Sequence, residues 1–120
     1  MEPRKRSFRL EHRRVATGDA LDIVYYPGPE PVPTRERHHL TRIVAEDETS
    51  APTEIQVNTY RGALALREDE VVGPLAGRAY PFPDELVLTE GQRVGVYFSG
   101  ATASDVLRVT FEGYWMRVED

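Results

Sequence analysis

The sequence feature that most constrains the fold is a pair of alternating segments near the C-terminus, VGVYFSGATASDVLRVTFEGYW (94–115). Successive side chains of a β-strand point to opposite sides, so the apolar residues of each segment share one face. These residues are Val94, Val96, Phe98, Leu107, Val109 and Phe111. Burial of the six contributes on the order of 10 kcal/mol, at about 1.5–3 kcal/mol each. The small residues between the segments, with Gly100 free to take positive φ, predict a tight hairpin that forms part of the core.

The rest of the chain carries the same kind of signal. No window of 11 or more residues keeps the helical period without a Pro, Gly or β-branched interruption. Short alternating segments recur instead, separated by polar, Gly-rich or Pro-rich turns at a spacing of about ten residues. This pattern predicts an all-β protein, built as an antiparallel β-sandwich or jelly roll.

A proline-rich segment near the N-terminus suggests a division of the chain. Four prolines fall within residues 27–33, and proline cannot donate to a central ladder, so the segment predicts an extended connection. It separates an extended N-terminal arm, residues 1–35, from a sandwich domain, residues 36–120. The alternative is that SFRLEHRRVAT (7–17), which alternates well, forms an outer strand of the sandwich.

Charge is distributed unevenly. The chain carries a net −5, yet residues 1–14 hold five arginines and one lysine against two glutamates. A basic arm on an acidic body is typical of subunits that contact an acidic neighbour or nucleic acid, although a solvated, frayed terminus gives the same pattern. Arginine dominates the basic residues and Asn and Gln are scarce, which fits either a thermophilic host or a GC-rich genome.

Chemically reactive patterns are missing from the sequence. The 120 residues include no cysteine, which excludes disulfides, thiolate catalysis and Cys-ligated metals. His38 and His39 are adjacent and therefore point to opposite faces of a strand. No phosphate-binding loop, nucleophile elbow or calcium loop is present. We therefore predict no catalytic residue, no cofactor and no metal site, with a hydrolase using Asp105 or Glu112 and a histidine as a minor alternative. The length of the apolar runs predicts a soluble protein.

Aromatic residues offer candidate contact surfaces. Alternation places Tyr60, Tyr97 and Tyr114 on the polar sides of their strands, which suits a subunit interface or a sugar-stacking platform. With the basic N-terminal residues, they make up the predicted interface candidates: Arg4, Lys5, Arg6, Arg9, Tyr60, Tyr97, Tyr114 and Trp115.

The segment VLTEGQRVGVYFSGATASDVLRVTFEGYW (87–115) resembles the closing strands of small bacteriophage virion proteins. Leu88, Gly91, Val96 and Phe98 fit the pattern L-x-x-G-x-x-L-x-V-x-F, with Val94 in place of its second leucine. Residues 100–105 fit G-A-T-A-x-D, and residues 113–115 fit G-Y-W. The resemblance covers 29 residues and implies a β-sandwich that serves as a capsid, decoration, neck or tail-associated subunit, without catalytic residues.

These observations predict a non-enzymatic structural subunit of a bacteriophage particle, assembled in the host cytoplasm. Its expected partners are copies of itself and other virion proteins, reached through sheet faces and the N-terminal arm. The alternative function is a carbohydrate-binding β-sandwich module or virion adhesin, which would use the outward tyrosines and the acidic loops.

Overall fold

The computed structural model describes residues 5–18, 22–28, 30–82 and 84–117. These residues form nine β-strands in two antiparallel sheets, which confirms the predicted all-β sandwich. In chain order the strands are β1 (Lys5–Val15), β2 (Ile23–Tyr26), β3 (Glu36–Asp47), β4 (Glu54–Arg61), β5 (Leu64–Val72), β6 (Tyr80–Phe82), β7 (Leu86–Leu88), β8 (Gln92–Ser99) and β9 (Val106–Arg117). The described ranges contain no helix with the length and apolarity needed to cross a membrane.

The strand order is that of a jelly roll. Sheet A runs β1-β9-β3-β6, and β7 also pairs with β3; sheet B runs β2-β8-β4-β5. Strand β6 pairs with Ile43–Ala45 and β7 with His38–Leu40, so the two are halves of one interrupted edge strand along β3. Counted in this way, each sheet has four strand positions, as in an eight-stranded jelly roll.

The core lies between the two sheets and contains the apolar residues of the C-terminal segments. All six of the alternating residues predicted to be buried are 0% exposed. The hairpin prediction is wrong, however: β8 pairs with β2 and β4 in sheet B, whereas β9 pairs with β1 and β3 in sheet A. Residues 100–105 therefore cross from one sheet to the other. Gly100 does take positive φ, and a Cβ there would lie 2.3 Å from Thr53 Oγ1.

The N-terminal segment belongs to the sandwich rather than to an extended arm. Strand β1 pairs along its whole length with β9, and β2 pairs with β8. The proline-rich segment also docks on the fold, because Val32 is buried and exchanges backbone hydrogen bonds with Gln92 and Gly91 (both 3.0 Å). The prediction of an extended arm over residues 1–35 is therefore wrong for the described residues, and the alternating pattern of residues 7–17 is the better guide than their basic charge. Residues 1–4 lie outside the described part of the chain.

The sandwich has two open sides. Strands β1 and β2 form one side, where the Phe8 and Tyr26 rings stack at 5.1 Å between centroids. Strand order places β5 of sheet B and the β6/β7 strand of sheet A on the opposite side. We refer to them as the β1–β2 edge and the β5–β7 edge.

Candidate functional site

An aromatic cluster occupies the outer face of sheet B. Tyr25 and Tyr60 pack edge to face with centroids 5.5 Å apart, and the Arg93 guanidinium lies 4.7 Å from the Tyr25 ring centroid. Gly95 lies beneath them, because a Cβ there would come within 2.8 Å of the Tyr60 ring and 2.9 Å of Ile23. Burial raises the pKa of Tyr60 above its usual value. The absence of a side chain at Gly95 therefore lets the half-buried Tyr25 and Tyr60 pack close to the sheet.

The predicted outward tyrosines face outward but are divided between the two sheets. Tyr97 lies opposite Ile23 in sheet B, on the same face as Tyr60. Tyr114 lies on sheet A, where it stacks on His39 at 4.5 Å between centroids. A single platform of the three predicted residues is therefore absent. Tyr25 joins the sheet B cluster instead; its neighbour Tyr26 is buried, as expected for adjacent residues on opposite faces.

The other interface candidates gather where β1 begins and β9 ends. The Lys5 ammonium lies 5.0 Å from the Tyr114 ring centroid, and the Arg6 guanidinium lies 5.2 Å from that of Trp115. Arg9 forms an ion pair with Glu112 at 3.3 Å. Arg4 lies outside the described residues. These basic side chains thus have aromatic or acidic partners within the chain, and their role as an interface remains a prediction.

Ion pairs cover the outer face of sheet A. Arg13 pairs with Glu48 at 2.8 Å and Arg108 with Glu11 at 2.5 Å. A shallow cavity of about 250 Å³ on this face is bordered by charged residues, among them Arg108. Exposed ion pairs of this type contribute little to stability, because the solvent screens them. Much of the positive charge of β1 is therefore neutralised on this face.

The histidines have separate surroundings. His38 is buried, with its ring nitrogens 2.8 Å from the Tyr26 hydroxyl and 3.2 Å from Glu36 Oε1. His39 points to the other side of β3, with Nδ1 2.9 Å from Glu85 Oε1. Among the described residues, no three His, Cys, Asp or Glu side chains converge in a way that could hold a metal ion.

Two buried carboxyl groups meet where the β3–β4 and β8–β9 loops pack together. Asp47 Oδ1 accepts the backbone N–H groups of Thr49 and Ser50, both at 3.1 Å. Asp105 Oδ2 accepts the Ser50 hydroxyl and the Thr102 N–H. Asp47 Oδ2 is buried and has no hydrogen-bond donor among the described residues. The sequence does not predict this pair, because Asp47 is the last residue of β3 and Asp105 lies in the loop before β9, far apart in the chain.

The two carboxyl groups have pKa values displaced in opposite directions. Burial, together with the neighbouring Asp105, raises the pKa of Asp47 to about 6. Burial alone would raise the pKa of Asp105 as well, but hydrogen bonds with Ser50 and Asp47 bring it below its ordinary value. Asp47 therefore holds a proton in mildly acidic solution while Asp105 stays ionised.

The raised pKa of Asp47 predicts that this group contributes more to stability at pH 5 than at pH 7. The pKa of Asp47 is higher in the folded chain than in the unfolded chain, so the folded state binds more protons between about pH 4 and pH 6. Its contribution to stability is present at low pH and is lost as pH rises through 6. Substitution Asp47→Asn mimics the protonated group and is expected to raise the Tm by several degrees at pH 7, and by much less at pH 5.

Thermal unfolding followed by circular dichroism at the two pH values measures this difference. Asp84→Asn, at an exposed position between β6 and β7, is the matched control and should leave the Tm difference between pH 7 and pH 5 unchanged. An Asp47→Asn variant that is less stable than the unmodified protein at pH 7 would contradict the raised pKa of Asp47.

The residues of the minor hydrolase prediction have different partners. Asp105 is bonded to Ser50 and Thr102, whereas Glu112 pairs with Arg9 on the outer face of sheet A. The hydrogen bonds of His38 and His39 lead to Tyr26, Glu36 and Glu85. His12 packs edge to face on Phe111, with centroids 5.7 Å apart. Within the described residues, therefore, none of these histidine contacts involves either acid.

Comparison with known proteins gives little further information. No protein-family model matches the chain, and no curated protein matches it. One solved structure with similarity is from Drosophila and is described as "The crystal structure of Drosophila NLP-core provides insight into pentamer formation and histone binding". It has a TM-score of 0.49 and 13% identity, over 95% of this chain and 100% of that chain. At this level of similarity, no function is transferred.

Proposed function

We propose that this protein is a non-enzymatic structural subunit that packs against copies of itself and neighbouring subunits in a bacteriophage particle, assembled in the host cytoplasm. One observation carries the proposal. In the described part of the chain, the large hydrophobic side chains that remain exposed lie on or beside the open edges of the sandwich. They are Leu10, Val15, Leu64, Leu66, Val72, Leu75 and Val87.

Open edges of this kind favour association. Strand β5 is nine residues long and pairs only with β4 among the described strands. Its Leu64 and Val72 side chains are 75% and 73% exposed. A long edge strand offers unpaired N–H and C=O groups, which charged side chains protect from pairing. In β5 the charged residues 67–70 lie in the middle of the strand, whereas the exposed apolar side chains lie towards its two ends. Apolar side chains added to an open edge therefore favour a subunit whose edges are covered by its neighbours.

The particle itself is proposed from the resemblance of residues 87–115 to bacteriophage virion proteins. The core positions of that pattern, such as Leu88, Val96 and Phe98, are fully buried here. These residues pack in the core between the two sheets. The edges and outer faces of the sandwich are therefore the surfaces that are open to contacts with other subunits.

Carbohydrate binding is the second candidate, supported by the sheet B cluster of Tyr25, Tyr60 and Tyr97. A sugar ring stacks on a flat, exposed aromatic face. Tyr25 and Tyr60 instead meet at an interplanar angle of 68° and are half-buried around Gly95. This arrangement presents less stacking surface than a flat platform, so we favour the structural role.

Light scattering coupled to size-exclusion chromatography, on the protein alone and with its particle, tests the proposed function. We expect assemblies with masses that are multiples of 13.6 kDa, together with incorporation into the particle. A strict monomer that never joins a particle would contradict the proposal. Glycan-array binding that is lost on Tyr97→Ala but kept on Tyr114→Ala, with both folds intact, would favour carbohydrate binding instead.

A further inference from the structure

The β1–β2 edge contains a cleft. The first strands of the two sheets diverge here and leave a cavity of about 490 Å³ between them. Its wall is formed by His12, Arg13 and Arg14 on the β1 side and by Ile23, Tyr25 and Arg93 on the sheet B side. We call this the β1–β2 cleft.

The cleft has an apolar floor and a basic rim. Ile23 and Tyr25 are half-buried in it, and the Arg14 guanidinium donates to the Ile23 carbonyl. His12 Nε2 is buried and has no hydrogen-bond partner among the described residues. Arg14 of β1 and Arg93 of β8 lie at the rim, whereas Arg9 and Arg13 pair with Glu112 and Glu48 on the outer face of sheet A. The occupant of the cleft should therefore combine apolar side chains with negative charge.

The β4–β5 hairpin on the opposite side of the sandwich has this chemistry. Leu64 and Leu66 share one face of β5 and are 75% and 64% exposed. Three consecutive acidic residues follow in the same strand: Glu68, Asp69 and Glu70. The strand contains one basic residue, Arg67, so its net charge is negative. Both the apolar and the charged features of the hairpin are therefore complementary to those of the cleft.

We propose that the β4–β5 hairpin of one copy docks into the β1–β2 cleft of a second copy. This inference rests on the proposed function, because it describes the contact through which the structural subunit would assemble. The leucines cover the apolar floor, and the acidic residues lie against the arginine rim. Contact between two hairpins would bring the acidic runs together, and contact between two clefts would bring arginines together, so like charges oppose both symmetric arrangements.

The position of the two surfaces determines the kind of assembly. Strand order puts the cleft and the hairpin on opposite sides of the sandwich. Each copy that uses its hairpin still has an open cleft for the next copy, which makes the contact head-to-tail. Such contacts continue until they close a ring, or they form an open filament when the rotation does not close.

Two variants of the full chain test this contact. Leu64→Asn/Leu66→Asn removes the apolar part of the hairpin and keeps the cleft. Arg14→Glu reverses the charge at the rim of the cleft and keeps the hairpin. All three positions are exposed, so both variants should fold, as checked by circular dichroism. Thr41→Asn, at an exposed site on central strand β3, is the control.

We expect each variant alone to self-associate at least tenfold more weakly than the unmodified protein in sedimentation experiments. An equimolar mixture should form a 1:1 dimer and nothing larger, because only one native hairpin and one native cleft can meet. The control should assemble like the unmodified protein.

The remaining outcomes separate this inference from the proposed function. If the unmodified protein assembles and both variants assemble equally well, the docking contact is wrong and the structural role stands. If one variant alone forms a stable dimer, the contact is symmetric and the head-to-tail arrangement is overturned. If head-to-tail assembly occurs but the protein is never found in a particle, the proposed function fails and the contact stands. A protein that stays monomeric at every concentration contradicts both.

Discussion

A variant that lacks residues 1–35 is expected to lose its cooperative fold. The deletion removes β1 from sheet A and β2 from sheet B, which uncovers one side of the core. It also removes three large buried side chains, Val24, Tyr26 and Val32. At about 1.5–3 kcal/mol for each buried side chain, the loss is comparable to the whole stability of a small domain, about 5–15 kcal/mol.

Near-ultraviolet circular dichroism and thermal unfolding measure this outcome. The truncated chain should show no cooperative transition, whereas a control that lacks only residues 1–4 should melt close to the full-length protein. If the longer truncation melts cooperatively near the temperature of the intact chain, the N-terminal segment is an arm after all, and its pairing with β8 and β9 is dispensable.

The substitution Gly113→Ala is expected to cost about 3 kcal/mol of unfolding free energy, at the upper end for overpacking. A Cβ at this position would lie 1.9 Å from the His39 carbonyl oxygen and 3.0 Å from the Leu40 Cα. The contacts are with backbone atoms, so no side-chain rotation relieves them. Here β3 changes register between Leu40 and Arg42, and this bulge brings the β3 backbone onto β9.

Urea unfolding of Gly113→Ala and of a matched control, Gly62→Ala, tests the steric argument. Gly62 takes a φ of 58° and has no atom within 4 Å of an added Cβ, so only the backbone conformation opposes alanine there. The Gly62 substitution should cost about 1 kcal/mol. Equal losses at the two positions would show that β3 and β9 are not in close contact at Gly113.

Alternation predicts the buried face of each strand but not its partner. The apolar residues of 94–98 and 107–111 are completely buried, as expected, because the two-residue period is a local property of the backbone. Pairing depends on the rest of the chain. A segment of six residues between β8 and β9 can either turn within one sheet or cross to the other, and the residues themselves are compatible with both.

The distribution of charge in the sequence did not predict correctly where the sandwich begins. Strand β1 alternates Phe8 and Leu10 with charged residues, and its arginines have the composition of a solvated arm. They belong to a strand because the backbone of residues 5–15 pairs with β9, and Arg9 and Arg13 then lie beside Glu112 and Glu48 on the same face of sheet A. Partners so distant in sequence cannot be assigned before the sheet order is known.

The positions of the candidate contact surfaces also depend on strand order, which the sequence does not give. The sequence predicts that Tyr60, Tyr97 and Tyr114 face outward, but their division between two sheets depends on topology. The Asp47–Asp105 pair and the β1–β2 cleft each combine segments from different parts of the chain, so no local pattern indicates them. The exposure of Leu64 and Leu66 was not predicted either, because alternation predicts a buried face and only the strand order shows that β5 lies at an edge.

Amide hydrogen exchange along residues 5–15 of the full-length protein tests the central claim most directly, namely that this segment is an edge strand with one paired side and one open side. The amides bonded to β9 should exchange slowly, in alternation with fast-exchanging amides that point outward and slow down only when copies assemble. Exchange of all these amides at the rate of an unstructured chain would contradict the sandwich described here and the docking edge built on it.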